Sequence, residues 1–98
     1  MDAKLKKKWV KALRSGEYRQ TKGRLIRRDK GKVGFCCLGV LRAICPAVGG
    51  GKDKEGGILP IDSAKAVGIS RAQQMILAKK NDKGIQFPAI ADYIEKHL

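Results

Sequence analysis

The stretch GFCCLGVLRAIC, residues 34–45, carries a single charged side chain, Arg42, in twelve residues. In a chain of which 32% is Asp, Glu, Lys or Arg, a run of that kind belongs in the interior. Cys37 to Cys45 reads as a short helix stopped by Pro46, because proline disfavours helical backbone in the residue before it. Cys37, Leu38, Val40, Leu41, Ile44 and Cys45 leave only Arg42 clearly polar, and a helix apolar almost all round is a buried one. The rest of the chain has to be arranged around this segment. With 98 residues there is room for one domain and one core.

Charge sets the second constraint. The chain has 22 basic and 9 acidic residues, a net +13. Residues 1–34 hold 13 Lys/Arg against 3 Asp/Glu, whereas residues 35–98 hold 9 against 6. A positive field concentrated in the first third points to a phosphate-bearing or acidic partner: a nucleotide, nucleic acid, an anionic membrane face or an acidic protein. No stretch approaches the roughly 18 consecutive apolar residues of a membrane span. The N-terminal lysines are followed by no apolar h-region, so no signal peptide is expected.

Local patterns give the elements. Residues 2–15 form an amphipathic helix with Leu5, Trp9, Ala12 and Leu13 on one stripe and Val10 beside it; Asp2 suits its N-cap and Gly16 its end. RLIRRDKGKVGF reads as two short strands joined by Asp29-Lys30-Gly31-Lys32, with Leu25 and Val33 on one face and Arg27 a candidate for it. Residues 46–61, with five Gly and two Pro in sixteen, form a flexible surface loop. Asp62 or Ser63 caps a short helix ending at Gly68. Ser70 caps another, with Ala72, Met75, Ile76 and Ala78 or Lys79 inward. NDKG, residues 81–84, turns the chain into a last helix with Pro88 in its first turn, an Ile90–Ile94–Leu98 stripe and an Asp92–Lys96 surface pair. The expected fold is α+β: a compact single domain, residues 1–98, in which four or five helices pack a short basic β-hairpin.

Several chemistries fail on residue type. Three cysteines are an odd number, and Cys36 with Cys37 could bond only through a strained ring, so free thiols in a reducing compartment are expected. Structural zinc wants four ligands, and only His97 joins the three cysteines, so neither metal nor cofactor is expected. Cys36 and Arg42 stand at the spacing of a phosphatase loop, but the residues between are too apolar to cradle a phosphate. Gly49-Gly50-Gly51-Lys52 imitates the end of a phosphate-binding loop without its Ser or Thr. With one histidine near the terminus there is no nucleophile–base pair, and no catalysis is expected.

Two binding segments remain. Arg19, Gln20, Lys22, Arg24, Arg27, Arg28, Lys30 and Lys32 fall within fourteen residues, with Tyr18 at the edge. Arginine forks pair with phosphate, while Gln and Tyr can meet a sugar or base. The alternative is residues 62–80, which approach a helix-turn-helix pattern with Ala64, Gly68, Ile69 and Leu77; Arg71, Gln73, Gln74, Lys79 and Lys80 would face a DNA groove.

WVKALRSGEYRQTKGRL, FCCLGVL and NDKGIQFPAIADYIE together resemble a family of small proteins of tailed phages and prophages, patterned W-x2-ALRSG-x-Y-x-Q, CCLGVL and ND-x-G-x-x-F-x-x-IAD-x-IE. The chain departs from that pattern in its basic load, its glycine-rich loop and Arg42. The resemblance brings no activity with it. It implies a phage accessory protein in the host cytoplasm, antagonising host defence; the basic ribbon of such a protein is expected to capture a nucleotide signal or block an anionic surface of a host factor.

Overall fold

The computed structural model describes residues 1–45 and 61–98. The glycine-rich segment 46–60 lies outside them, as do the side chains of residues 61–63, on which the expected Asp62 or Ser63 cap falls. The described chain is an α+β domain of five helices and one antiparallel hairpin: α1 (Ala3–Arg14), β1 (Ile26–Asp29), β2 (Lys32–Phe35), α2 (Cys37–Ile44), α3 (Ile61–Val67), α4 (Arg71–Asp82) and α5 (Phe87–His97). Among the described residues no helix is long and apolar enough to cross a membrane.

α1 begins where Asp2 accepts the backbone N–H of Leu5 at 2.9 Å and ends ahead of Gly16, which takes a positive φ of 78°. It buries Trp9, Val10 and Leu13 and packs most extensively against α5, which brings Phe87, Ile90, Ala91 and Ile94. Arg14 ties the two helices at the surface, donating to both Asp92 and Glu95. Asp92 therefore pairs across helices, where local spacing had suggested Lys96 one turn on.

α2 is the centre. Cys36 caps it through its sulfur, which accepts the Gly39 N–H at 3.3 Å. Cys37, Leu38, Gly39, Val40, Leu41 and Arg42 are buried on it, between α1 on one side and α4 on the other. The indole N–H of Trp9 donates to the Cys37 carbonyl at 2.8 Å, which locks α1 onto the first turn of α2.

The hairpin turns more tightly than its sequence suggests. Asp29 pairs directly with Lys32, so the loop is two residues, Lys30-Gly31, both at positive φ (48° and 79°) as a type I′ turn requires. The register sets Arg28 opposite Val33 and Arg27 opposite Gly34. Val33 is 39% exposed and lies on the face opposite Arg27, contrary to the expected shared face with Leu25. A third extended segment lines the far edge of β2: Phe35 N–H donates to Arg19 C=O, and Thr21 N–H donates to Phe35 C=O.

α4 also departs from its hydropathy. Ser70 and Gln73 form a reciprocal capping box at its start. Its buried residues, however, are Gln74, Leu77 and Asn81, whereas Met75 and Ile76 are 52% and 44% exposed. Asn81, expected in a turn, sits inside the helix with no exposed surface.

Gly39 is where the hairpin meets α2. A Cβ at this position would stand 1.8 Å from the Leu25 carbonyl oxygen, which also accepts the Cys36 N–H at 3.0 Å. Neither partner is a flexible side chain, so Gly39→Ala is expected to cost about 3 kcal/mol or more. Urea denaturation of the variant measures it; a loss below about 1 kcal/mol would mean that the two backbones separate freely.

Candidate functional site

The outer face of the hairpin forms a polar concavity of about 300 Å³. In a strand, alternate residues share a face, and directly paired residues share it across strands. Arg27 and Asp29 on β1 therefore stand with Gly34 and Lys32 on β2. Arg19 and Thr21 complete the wall from the third segment, and Gln20 contributes to the lining. Gly34 allows this closure, because a Cβ there would lie 2.8 Å from Thr21 Cβ. Arg19, Arg27, Asp29 and Lys32 are all exposed, and among the described residues none of the four makes an ion pair. The result is a cupped surface with three cations and one carboxylate, none of them ion-paired among the described residues, around Gly34.

The nine residues singled out by sequence divide on this geometry. Arg19, Gln20, Arg27 and Lys32 line the cavity. Arg28 projects from the opposite face of β1 with Val33, and Lys30 occupies the turn tip. Arg24 is exposed ahead of β1, and Lys22 reaches over the α4–α5 turn, its Nζ 3.4 Å from where a Cβ on Gly84 would be. Tyr18 packs edge-on against Phe35, with centroids 5.2 Å apart. The amide nitrogen of Gln20 is directed inward, donating to Asn81 Oδ1 at 3.0 Å and to the Ile85 carbonyl at 2.7 Å. Thr21, Asp29 and Gly34 were not singled out. Asp29 follows from the two-residue turn, since Lys30-Gly31 at positive φ places it opposite Lys32; Thr21 joins through tertiary pairing that no local pattern marks.

The third segment is held in place by the end of α4. Asn81 is the hub: its Oδ1 accepts from Gln20 and from the Cys37 backbone N–H (3.2 Å), while its Nδ2 donates to the Thr21 carbonyl at 2.7 Å. One turn position on, Asp82 accepts the Gly23 N–H at 3.0 Å. One buried carboxamide thereby joins α2, α4 and the segment carrying Arg19.

Residues 62–80 make a different surface. The helix that would enter a groove shows Arg71, Met75, Ile76 and Lys79 outward, Gln74 is buried, and Lys80 lies over the Tyr93 ring at 4.5 Å. Cys36 and Cys37 are also buried. Cys37 Sγ lies 3.6 Å from the Leu77 carbonyl, and burial pushes the Cys36 thiol up to about 11 and that of Cys37 well above its usual range. Among the described residues no three His, Cys, Asp or Glu side chains gather as a metal site.

Two outcomes follow. Asn81→Leu removes three hydrogen bonds, leaves the Cys37 N–H and the Thr21 carbonyl without that partner while Gln20 keeps Ile85, and is expected to lower stability by about 3 kcal/mol, read by chemical denaturation. The buried thiols set an alkaline limit. The folded state keeps the Cys36 proton where an unfolded cysteine ionises, so stability present below pH 9.0 is lost as pH rises toward 11. Melting temperatures should fall over that range, and the fall should be shallower in Cys36→Ala; equal slopes would exclude the thiol as its cause.

Residues 1–47 match the family model of a domain of unknown function (DUF8296), a stretch that contains every residue lining the hairpin cavity and ends before α4. No curated protein and no solved structure matches the chain.

Proposed function

We propose that this chain is a non-catalytic binding module whose cupped hairpin face captures a small phosphate-bearing ligand. The observation that carries the reading is the convergence of Arg19, Arg27 and Lys32 on one concavity of about 300 Å³ with no ion pair to neutralise them among the described residues. Guanidinium forks match phosphate oxygens two at a time, and an ammonium adds a point charge. The absence of a reaction is supported by the Cys36 and Cys37 thiols, buried and held protonated, and by His97, whose ring stacks on Tyr93 at the end of α5. The motif resemblance supports the biological side of the proposal, a phage-type accessory protein of the host cytoplasm, and the cavity's charge supports its target, a nucleotide signal to sequester or a host factor to block.

Calorimetric titration of the purified chain with adenosine nucleotides tests the reading. Arg19→Ala combined with Arg27→Ala is expected to weaken binding at least about 10-fold with melting temperature nearly unchanged. Arg24→Ala, off the cavity, should bind normally. A large fall in melting temperature would make the arginines structural. In parallel, anisotropy of a labelled random DNA duplex from about 50 to 200 mM salt reads the nucleic-acid alternative. Tight duplex binding that weakens by about 0.9 log units per phosphate contacted, with no nucleotide binding, would replace small-ligand capture by backbone recognition.

A further inference from the structure

Asp29 has no place in a site built only for phosphate. It lies on the same face as Arg27, two residues away, and opposite Lys32 across the hairpin, yet forms an ion pair with neither. An ionised carboxylate only accepts hydrogen bonds, so it repels phosphate oxygens and attracts hydroxyl or amine donors. Three cations against one carboxylate leave the lining at net +2. A phosphomonoester carries about −1.5 to −2 at neutral pH, whereas a triphosphate or a polymer backbone would press further negative charge toward Asp29. A volume of about 300 Å³ is at the lower bound for small-molecule clefts.

Resting on the phosphate-capture reading, we infer that the cavity selects a small phosphomonoester bearing hydrogen-bond donors, a nucleoside monophosphate or a sugar phosphate. Its phosphate lies among Arg19, Arg27 and Lys32, and a hydroxyl or amine donates to the Asp29 carboxylate. Thr21 stands beside Gly34 with a hydroxyl that can serve either end of the ligand. Asp29 is then the specificity-determining residue: it lowers the affinity for bare phosphate and raises it for the donor-bearing ester.

The test titrates the full chain and Asp29→Ala with adenosine 5′-monophosphate, ribose 5-phosphate, inorganic phosphate and adenosine triphosphate. The wild-type chain is expected to bind the two monoesters about 10-fold more tightly than inorganic phosphate, the scale of one hydrogen bond to a charged acceptor. Asp29→Ala should abolish that preference, weakening the monoesters while strengthening phosphate and the triphosphate. Equal affinity for the two monoesters assigns the donor to the sugar; a preference for the nucleotide assigns it to the base. If inorganic phosphate binds as tightly as the monoesters, and the substitution strengthens all four alike, the selection by Asp29 is wrong while phosphate capture stands. If none of the four binds the folded wild-type chain, phosphate capture falls and the inference with it. Should Asp29→Ala fail to fold, the wild-type ranking of the four ligands still decides.

Discussion

The backbone of Leu25 runs so close to α2 that only a hydrogen atom fits on Gly39 between them. That approach lets the Leu25 carbonyl accept the Cys36 N–H and extends the hairpin ladder directly into the helix cap. A short ribbon is unstable alone and takes its order from what it is packed on. Here it is joined at one end to the most buried helix of the domain. The positions of Arg27, Asp29 and Lys32 are set from that joint, through a two-residue turn that leaves little slack in register.

The other wall depends on a polar group. Asn81 is fully buried, and its carboxamide links the first turn of α2 to the segment carrying Gln20 and Thr21. A buried amide with all its partners present specifies one arrangement, because any shift strands a donor or acceptor in a low-dielectric interior. The residues behind the motif resemblance meet at this junction: Trp9 donates to Cys37, Gln20 and Cys37 donate to Asn81, Asp82 accepts from Gly23, and Gly39 admits Leu25. That pattern describes a scaffold. It has little to say about the ligand, since Arg27 and Lys32 lie outside the quoted motifs.

Features with local causes were readable from the sequence. Asp2, Gly16 and Ser70 cap or end helices through neighbours within a few residues, and each does so in the fold. The apolar run from Cys37 announced its own burial. What failed were inferences that equate apolar with inside. On α4 the hydropathy favours Met75 and Ile76, but the inward phase is set by Gln74, Leu77 and Asn81, because a satisfied carboxamide outcompetes an aliphatic residue at that junction. On the hairpin, Val33 is displaced outward by the register that the Lys30-Gly31 turn imposes. The basic cluster was visible as composition, but which of its members converge is a matter of pairing. Arg19 joins Lys32 in lining the cavity only because a third segment pairs with Phe35 at the end of β2, and that pairing is anchored sixty residues away in sequence.

Cations gathered this closely repel one another, and a domain tolerates that only where the carrying backbone cannot relax. The described structure meets this condition on both sides of the cavity, with the Gly39 joint under β1 and β2 and the Asn81 clamp under residues 20 and 21. A backbone held in this way loses little loop freedom when its side chains engage a ligand. The arrangement also explains the division of labour along the chain. The nearly neutral C-terminal helices provide burial and the clamp, and leave the first third free to carry the field. Asp29 fits the same logic. The two-residue turn fixes its backbone opposite Lys32 and two residues from Arg27, which keeps the carboxylate on the cation-bearing face.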